Sequence, residues 1–156
     1  MSWNQAHRRH RLVHAVLDEI ARTRRPTIPQ ALHPEVVAEF GGFDGFLVEV
    51  QLRWYRTFDT WLDELLEEQP ADLREALVDL WQDTAERMPG AQILLNAHIA
   101  HPALTEVHDH HRRRVQAATG IHMDPLRVPR QPTRDPVHDR ASFFCLRLFH
   151  PRPSAS

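Results

Sequence analysis

The chain of 156 residues contains no lysine, and all 19 of its basic residues are arginine. Without lysine there is no P-loop lysine, no Schiff-base lysine of a pyridoxal enzyme and no lysine of a kinase nucleotide site. An arginine-only chain is more typical of a biased genomic base composition than of a particular function. The absence of lysine therefore excludes these lysine-dependent activities but does not indicate which function the chain has.

Cysteine and serine are also scarce. The single cysteine, Cys145, excludes an internal disulfide and a zinc cluster built from thiolates. The few serines lie near the ends of the chain, none of them in the context of a nucleophile elbow. No glycine-rich phosphate loop follows a strand-like segment. The sequence thus contains no recognisable catalytic constellation.

Long apolar runs are absent as well. No run approaches the roughly 20 residues that a transmembrane helix needs, and the first residues, MSWNQAHRRHR, contain no apolar signal core. We therefore predict a cytoplasmic protein that does not enter a membrane.

The net charge is only −2, but the charges are unevenly placed. Residues 1–25 carry a net charge of +4, residues 59–86 carry −9, and residues 112–156 carry +6. Such a pattern indicates charge complementarity within the molecule or between subunits. The acidic middle and the near-neutral total argue against a strong nucleic-acid surface.

Apolar residues recur at helical spacing through most of the chain and predict an all-α fold. We expect an antiparallel bundle of four to five helices over residues 1–120 and a mostly irregular Pro/Arg-rich tail over residues 121–156. Within the tail, residues 142–149 are apolar enough to dock on the bundle or to pair with another chain. The predicted helices cover residues 4–24, a short segment opening at His33, and residues 43–68, 72–88, 91–100 and 102–118.

The predicted helix over residues 43–68 has an apolar arc of about half its circumference, which is too wide for one neighbour. Large aromatic side chains are favoured in interfaces and pockets. Our leading hypothesis is therefore a non-enzymatic binding or regulatory module, a homodimer, that contacts a partner or a small apolar ligand. The residues assigned to that surface are Trp54, Phe58, Trp61 and Trp81.

Histidines concentrate between positions 98 and 111. Projected on helices, His98 and His111 lie on apolar faces, His108 lies at the edge of one, and His110 points to solvent. His101 precedes Pro102, where helical geometry is disfavoured. The alternative hypothesis is a metal ion or haem ligated by His98 and His111, with His108 or His101 assisting. A third interpretation is that each of these histidines is a neutral core or boundary residue, hydrogen-bonded to a backbone carbonyl or a side chain.

Overall fold

A computed structural model describes residues 3–124 of the chain, and these form six α-helices, two 3-10 turns and no strand. The all-helical class predicted from the sequence is confirmed for this part. The segment predicted to dock, residues 142–149, and the tail from residue 125 onward lie outside the described residues. The helices are α1 (Trp3–Thr23), α2 (His33–Phe40), α3 (Phe43–Glu68), α4 (Leu73–Arg87), α5 (Pro89–Ala97) and α6 (Thr105–Thr119).

Within residues 3–124, no helix is both long and apolar enough to cross a membrane.

Several helix ends follow from local chemistry. Gly41 adopts a left-handed conformation with φ +75° and ends α2, its N–H donating to the carbonyl of Val37. α3 then begins at Phe43 and has the predicted bounds. Asp72 caps α4, because its carboxylate accepts the N–H of Glu75 at 3.0 Å.

The helices predicted over residues 72–88 and 91–100 leave Pro89 and Gly90 between them as a turn, but the structure includes both residues in α5. Pro89 begins α5, where a missing N–H costs nothing, and Gly90 lies inside the helix. A Cβ atom on Gly90 would collide with the carbonyl oxygen of Leu17 in α1. Glycine is used here because the backbones of α1 and α5 approach closely, not because the chain turns.

The helix predicted over residues 91–100 ends earlier, at Ala97. His98 lies past its end with φ −122° and ψ 19°, so it does not continue the helical face of Leu94. Pro102 holds the residue before it, His101, in an extended conformation with ψ 134°. A 3-10 turn, Pro102–Leu104, then leads into α6, which Gly120 ends in a left-handed conformation.

α3 lies at the centre of the helices. It contacts α2, α4, α5, α6 and the second 3-10 turn, while α1 packs mainly on α5. Most of the wide apolar arc of α3 is therefore covered by helices of the same chain, while Leu52 is partly exposed. Its buried apolar side chains are Phe46, Leu47, Val50, Trp54, Tyr55, Phe58 and Leu62.

Candidate functional site

The four aromatic residues predicted to form a binding surface have different surroundings. Trp54 and Phe58 are 1% and 0% exposed and stack with their ring centres 5.9 Å apart. Trp81 is half-buried and lies 4.3 Å from Trp54. Trp61 lines a groove between α3 and α4, with the guanidinium of Arg87 over its ring at 4.3 Å. Trp54 and Phe58 are core residues, so these four do not present one common surface.

His98 and His101 pack around Phe43 at the start of α3. Their ring centres are 4.9 and 5.9 Å from that of Phe43 and 6.3 Å from each other. Nε2 of His98 is 3.3 Å from the carbonyl oxygen of Pro26. Nδ1 of His101 accepts the N–H of Ala103 at 3.3 Å. Both side chains thus have a hydrogen-bonding role in the connections between helices.

His108 and His111 face Tyr55 from α6. The imidazole of His111 is 5% exposed and stacks on the Tyr55 ring, with centres 3.6 Å apart and planes 10° apart. His108 is half-buried, its ring edge-on to that of Tyr55. The helical projection placed His111 inside, and its burial agrees with that prediction.

The structure does not bring the four predicted metal ligands together. Among residues 3–124, no group of three or more His, Cys, Asp or Glu side chains could hold a metal ion. The break between α5 and α6 leaves His98 and His101 around Phe43, while His108 and His111 contact Tyr55. The alternative of a histidine-ligated metal or haem protein gains no support from this arrangement.

Sequence reasoning missed Asp59, which is only 9% exposed and lies on the inner side of α3. Its Oδ1 accepts Nε2–H of His111 at 3.2 Å, and its Oδ2 forms an ion pair with the guanidinium of Arg114, 3.2 Å from Nη1. The signal was present in the sequence, because Asp59 follows Tyr55 by one helical turn and so shares its buried face. One carboxylate therefore connects α3 to two successive turns of α6.

A second hydrogen-bonded chain runs from Tyr55 through His108. The hydroxyl of Tyr55 donates to Nδ1 of His108 at 2.6 Å, and Nε2–H of His108 donates to the carbonyl of Ile99 at 3.1 Å. Burial lowers the pKa of His108, and burial with the nearby Asp59 charge raises the pKa of the Tyr55 hydroxyl. Both shifts favour the neutral hydroxyl of Tyr55 and the neutral imidazole of His108. A neutral hydroxyl can donate to Nδ1, and a neutral imidazole can accept at Nδ1 while it donates from Nε2 to Ile99.

An open cavity of about 340 Å³ lies between α3 and α6, next to these two chains. Its apolar surface comes from Leu52, Val107 and the ring of Tyr55. Polar and charged side chains surround that surface, and His110, predicted to point to solvent, is exposed and lines the cavity. The remaining lining residues are Arg56, Asp59, Glu106, His111, Arg113 and Arg114.

The arginines that line the cavity differ in how many of their N–H groups have a partner. Arg114 is paired with Asp59 at 3.2 Å. Arg113 donates only its Nε–H, to the carbonyl of Asp109 at 3.2 Å, and the side chain of Arg56 has no partner among residues 3–124. Two guanidinium groups therefore have donors available at the rim.

Comparison of the chain with known protein families, with curated proteins and with solved structures found no match.

Proposed function

We propose that this chain is a non-enzymatic binding module that holds a small ligand with an apolar body and an anionic group in the cavity between α3 and α6. The observation that carries the proposal is the combination in one cavity of an apolar surface and two arginines with available donors. The proposal keeps the ligand-binding hypothesis drawn from the sequence but moves the site from the tryptophans to the opposite side of Tyr55.

The apolar part of the ligand would lie against Leu52, Val107 and Tyr55. Leu52 is 37% exposed, so part of its side chain is available to a ligand. A volume of about 340 Å³ is within the range of small-molecule sites, which begins near roughly 300 Å³. Covering this surface would remove apolar area from water, which is the main favourable term in such binding.

The anionic group would accept from Arg56 and Arg113. A hydrogen bond to a charged group contributes about 1.5–3 kcal/mol when it is well desolvated, and less at an open rim. Asp59 does not compete for these two donors, because its oxygens are bonded to His111 and Arg114. The charge of Asp59 is thus already paired, and the other lining residues include two arginines, Arg56 and Arg113, against one carboxylate, Glu106.

The lining residues also indicate binding rather than covalent catalysis. They include no serine, threonine, cysteine or lysine, which supply most nucleophiles. The hydroxyl of Tyr55 is bonded to His108, and Nε2 of His111 is bonded to Asp59. These groups fix the shape of the cavity.

Fluorescence titration with 8-anilinonaphthalene-1-sulfonate, compared with uncharged 1-anilinonaphthalene, tests the proposal. We expect the native chain to bind the sulfonate in a saturable way. The Arg56→Gln/Arg113→Gln double variant should bind it about tenfold more weakly, since about 1.4 kcal/mol corresponds to a factor of ten. Affinity for the uncharged probe should change less than about twofold, because only the apolar surface holds it.

Arg11→Gln is the matched control, because Arg11 is an exposed arginine on α1 that does not line the cavity. It should leave the affinity for both probes unchanged. Equal sulfonate affinity in the double variant and the native chain would contradict the proposal, as would the absence of saturable binding.

The homodimer predicted from the sequence is a separate proposal. It was based on the wide apolar arc of α3, and α2, α4, α5 and α6 of the same chain contact that helix. Sedimentation equilibrium at micromolar concentration tests it. A dimer mass would support it, whereas a monomer mass would contradict it and leave the cavity proposal unaffected. The cytoplasmic location and the antiparallel bundle likewise remain predictions.

A further inference from the structure

A second open groove, of about 330 Å³, lies between α3 and α4. Its floor consists of half-buried apolar side chains, Leu65 from α3 and Ala76 and Leu80 from α4. Trp61 lies at one end beneath Arg87. Its rim is acidic and consists of Glu64, Glu68, Asp79 and Asp83.

Helical spacing explains this composition. On α3 the lining residues recur at positions 61, 64, 65 and 68, and on α4 at 76, 79, 80 and 83, so each helix presents one face. Ala76 leaves space because its side chain is a single methyl group. The rim acids do not converge on a metal site, since no suitable group exists among residues 3–124. Carboxylates spread along an apolar groove are suited instead to several separate cationic side chains on an apolar segment.

The chain itself contains such a segment. Residues 140–152 read RASFFCLRLFHPR, with three arginines, no acidic residue, and apolar side chains between the arginines. The α3/α6 cavity is an unsuitable place for it, because Arg56, Arg113 and Arg114 would repel its charges. Charge and hydrophobicity together therefore match residues 140–152 to the α3/α4 groove.

The connection is long enough to reach within one molecule. The described chain ends at Asp124, five residues after α6, and α6 packs through His111 on Tyr55 in the middle of α3. Leu65 lies about 15 Å further along that helix, at 1.5 Å per residue. Residues 125–139 span up to roughly 50 Å when extended. A tether of this length gives its end a high effective concentration at the groove.

We propose that the groove between α3 and α4 binds residues 140–152 of the same chain. The apolar side chains of the segment cover Leu65, Ala76 and Leu80, and its arginines pair with the acidic rim. The groove is thereby an intramolecular docking site, independent of the ligand cavity between α3 and α6.

The single cysteine of the chain, Cys145, lies within this segment and reports on docking. The measurement is the rate of its reaction with N-ethylmaleimide in native buffer, divided by the rate for the same variant in urea. We expect this ratio to be about 0.1 or lower in the native full-length chain. In Glu64→Arg/Asp83→Arg it should rise towards one, because the rim then repels the segment.

Asp18→Arg/Asp63→Arg is the matched control, since it changes the net charge equally at exposed positions outside the groove. It should keep the ratio low. A fourfold variant that combines Glu64→Arg/Asp83→Arg with Arg140→Glu/Arg147→Glu reverses the charges of both the groove and the segment. It should therefore restore the protection of Cys145 from N-ethylmaleimide. If the groove variant does not fold, Arg140→Glu/Arg147→Glu alone gives the same readout, because it leaves α1 to α6 unchanged.

A ratio near one in the native chain would overturn the proposal. So would equal ratios in the groove and control variants, or a failure of the combined reversal to restore protection in a folded protein. Protection that increases with protein concentration would also overturn it, since the occupant would then be a second copy.

Discussion

At the scale of single residues, Asp59 holds α3 against α6 because one nearly buried carboxylate contacts two side chains of the facing helix. Nε2–H of His111 donates to Oδ1 of Asp59 at 3.2 Å, and the guanidinium of Arg114 forms an ion pair with Oδ2 at 3.2 Å. Removing such an acceptor leaves donors without a partner, and this costs more than the pair itself contributes.

We expect Asp59→Ala to lower the free energy of unfolding by about 2–3 kcal/mol, a value below that of fully buried pairs because Arg114 is itself exposed. Urea denaturation monitored by circular dichroism measures it. The control, Asp63→Ala, changes an exposed aspartate one turn later on α3 and should alter stability by less than about 0.5 kcal/mol. Similar losses in the two variants would show that the carboxylate has no special role.

His108 is expected to make stability depend on pH. Burial lowers its pKa below the ordinary value of 6.5, an effect opposed by the carbonyl of Ile99 and reinforced by His111. Between the lowered pKa and 6.5, the unfolded chain binds more protons at this position than the folded chain. The free energy of unfolding therefore falls as the pH decreases through this window and is fully retained above 6.5.

The check is to measure urea unfolding at pH 7.5 and pH 5.5. His108→Gln keeps an acceptor and a donor but cannot be protonated, so it should lose less stability between these pH values than the native chain. His110→Gln, at an exposed position on α6, should behave like the native chain. An unchanged pH dependence in His108→Gln would contradict the assignment.

At the scale of helices, their ends show what local sequence can and cannot determine. Gly41, Gly120 and the Asp72 cap act through their own backbone or side chain, so the sequence predicts them. The start of α5 was predicted wrongly because the role of Gly90 depends on Leu17, which is distant in sequence. The early end of α5, which changed the position of His98, has a local cause instead, because Pro102 holds His101 in an extended conformation.

Gly90 and Gly120 should therefore respond differently to alanine. Gly90→Ala places a Cβ against backbone that cannot move without separating α1 from α5, so we expect a loss of about 3 kcal/mol or more. Gly120→Ala meets no atom within contact distance but must adopt φ +71°, which costs about 1 kcal/mol. Thermal and urea unfolding of the two variants provide the comparison, and equal losses would argue against a close approach of the two helices.

At the scale of the whole molecule, the uneven charge distribution has different effects on the folded helices and on the proposed docking. Apart from the Asp59 pairs, ion pairs such as that of Arg112 with Asp109 join exposed or half-exposed side chains and contribute little to stability. Docking of an arginine-rich segment on an acidic groove depends on charge to a greater extent, because several pairs form together.

Raising NaCl from 0.1 to 1 M shortens the screening length from about 10 to about 3 Å. On the docking proposal, we expect the maleimide reaction of Cys145 to accelerate several-fold, while the free energy of unfolding changes by less than about 1 kcal/mol. Arg140→Glu/Arg147→Glu serves as the comparison, because its segment is already released and its rate should be insensitive to salt. A salt-independent rate in the native chain would count against charge-driven docking.

The sequence by itself determined the all-helical class, the bounds of α3, the burial of His111 and the absence of familiar catalytic motifs, because each depends on neighbours within one or two helical turns. The tertiary structure decided which side chains meet. It divided the histidines between Phe43 and Tyr55, placed Trp54 and Phe58 in the core, and paired Asp59 with α6. Helical periodicity identifies the face on which a residue lies, but not which distant helix covers that face, and both the α3/α6 cavity and the α3/α4 groove depend on that packing.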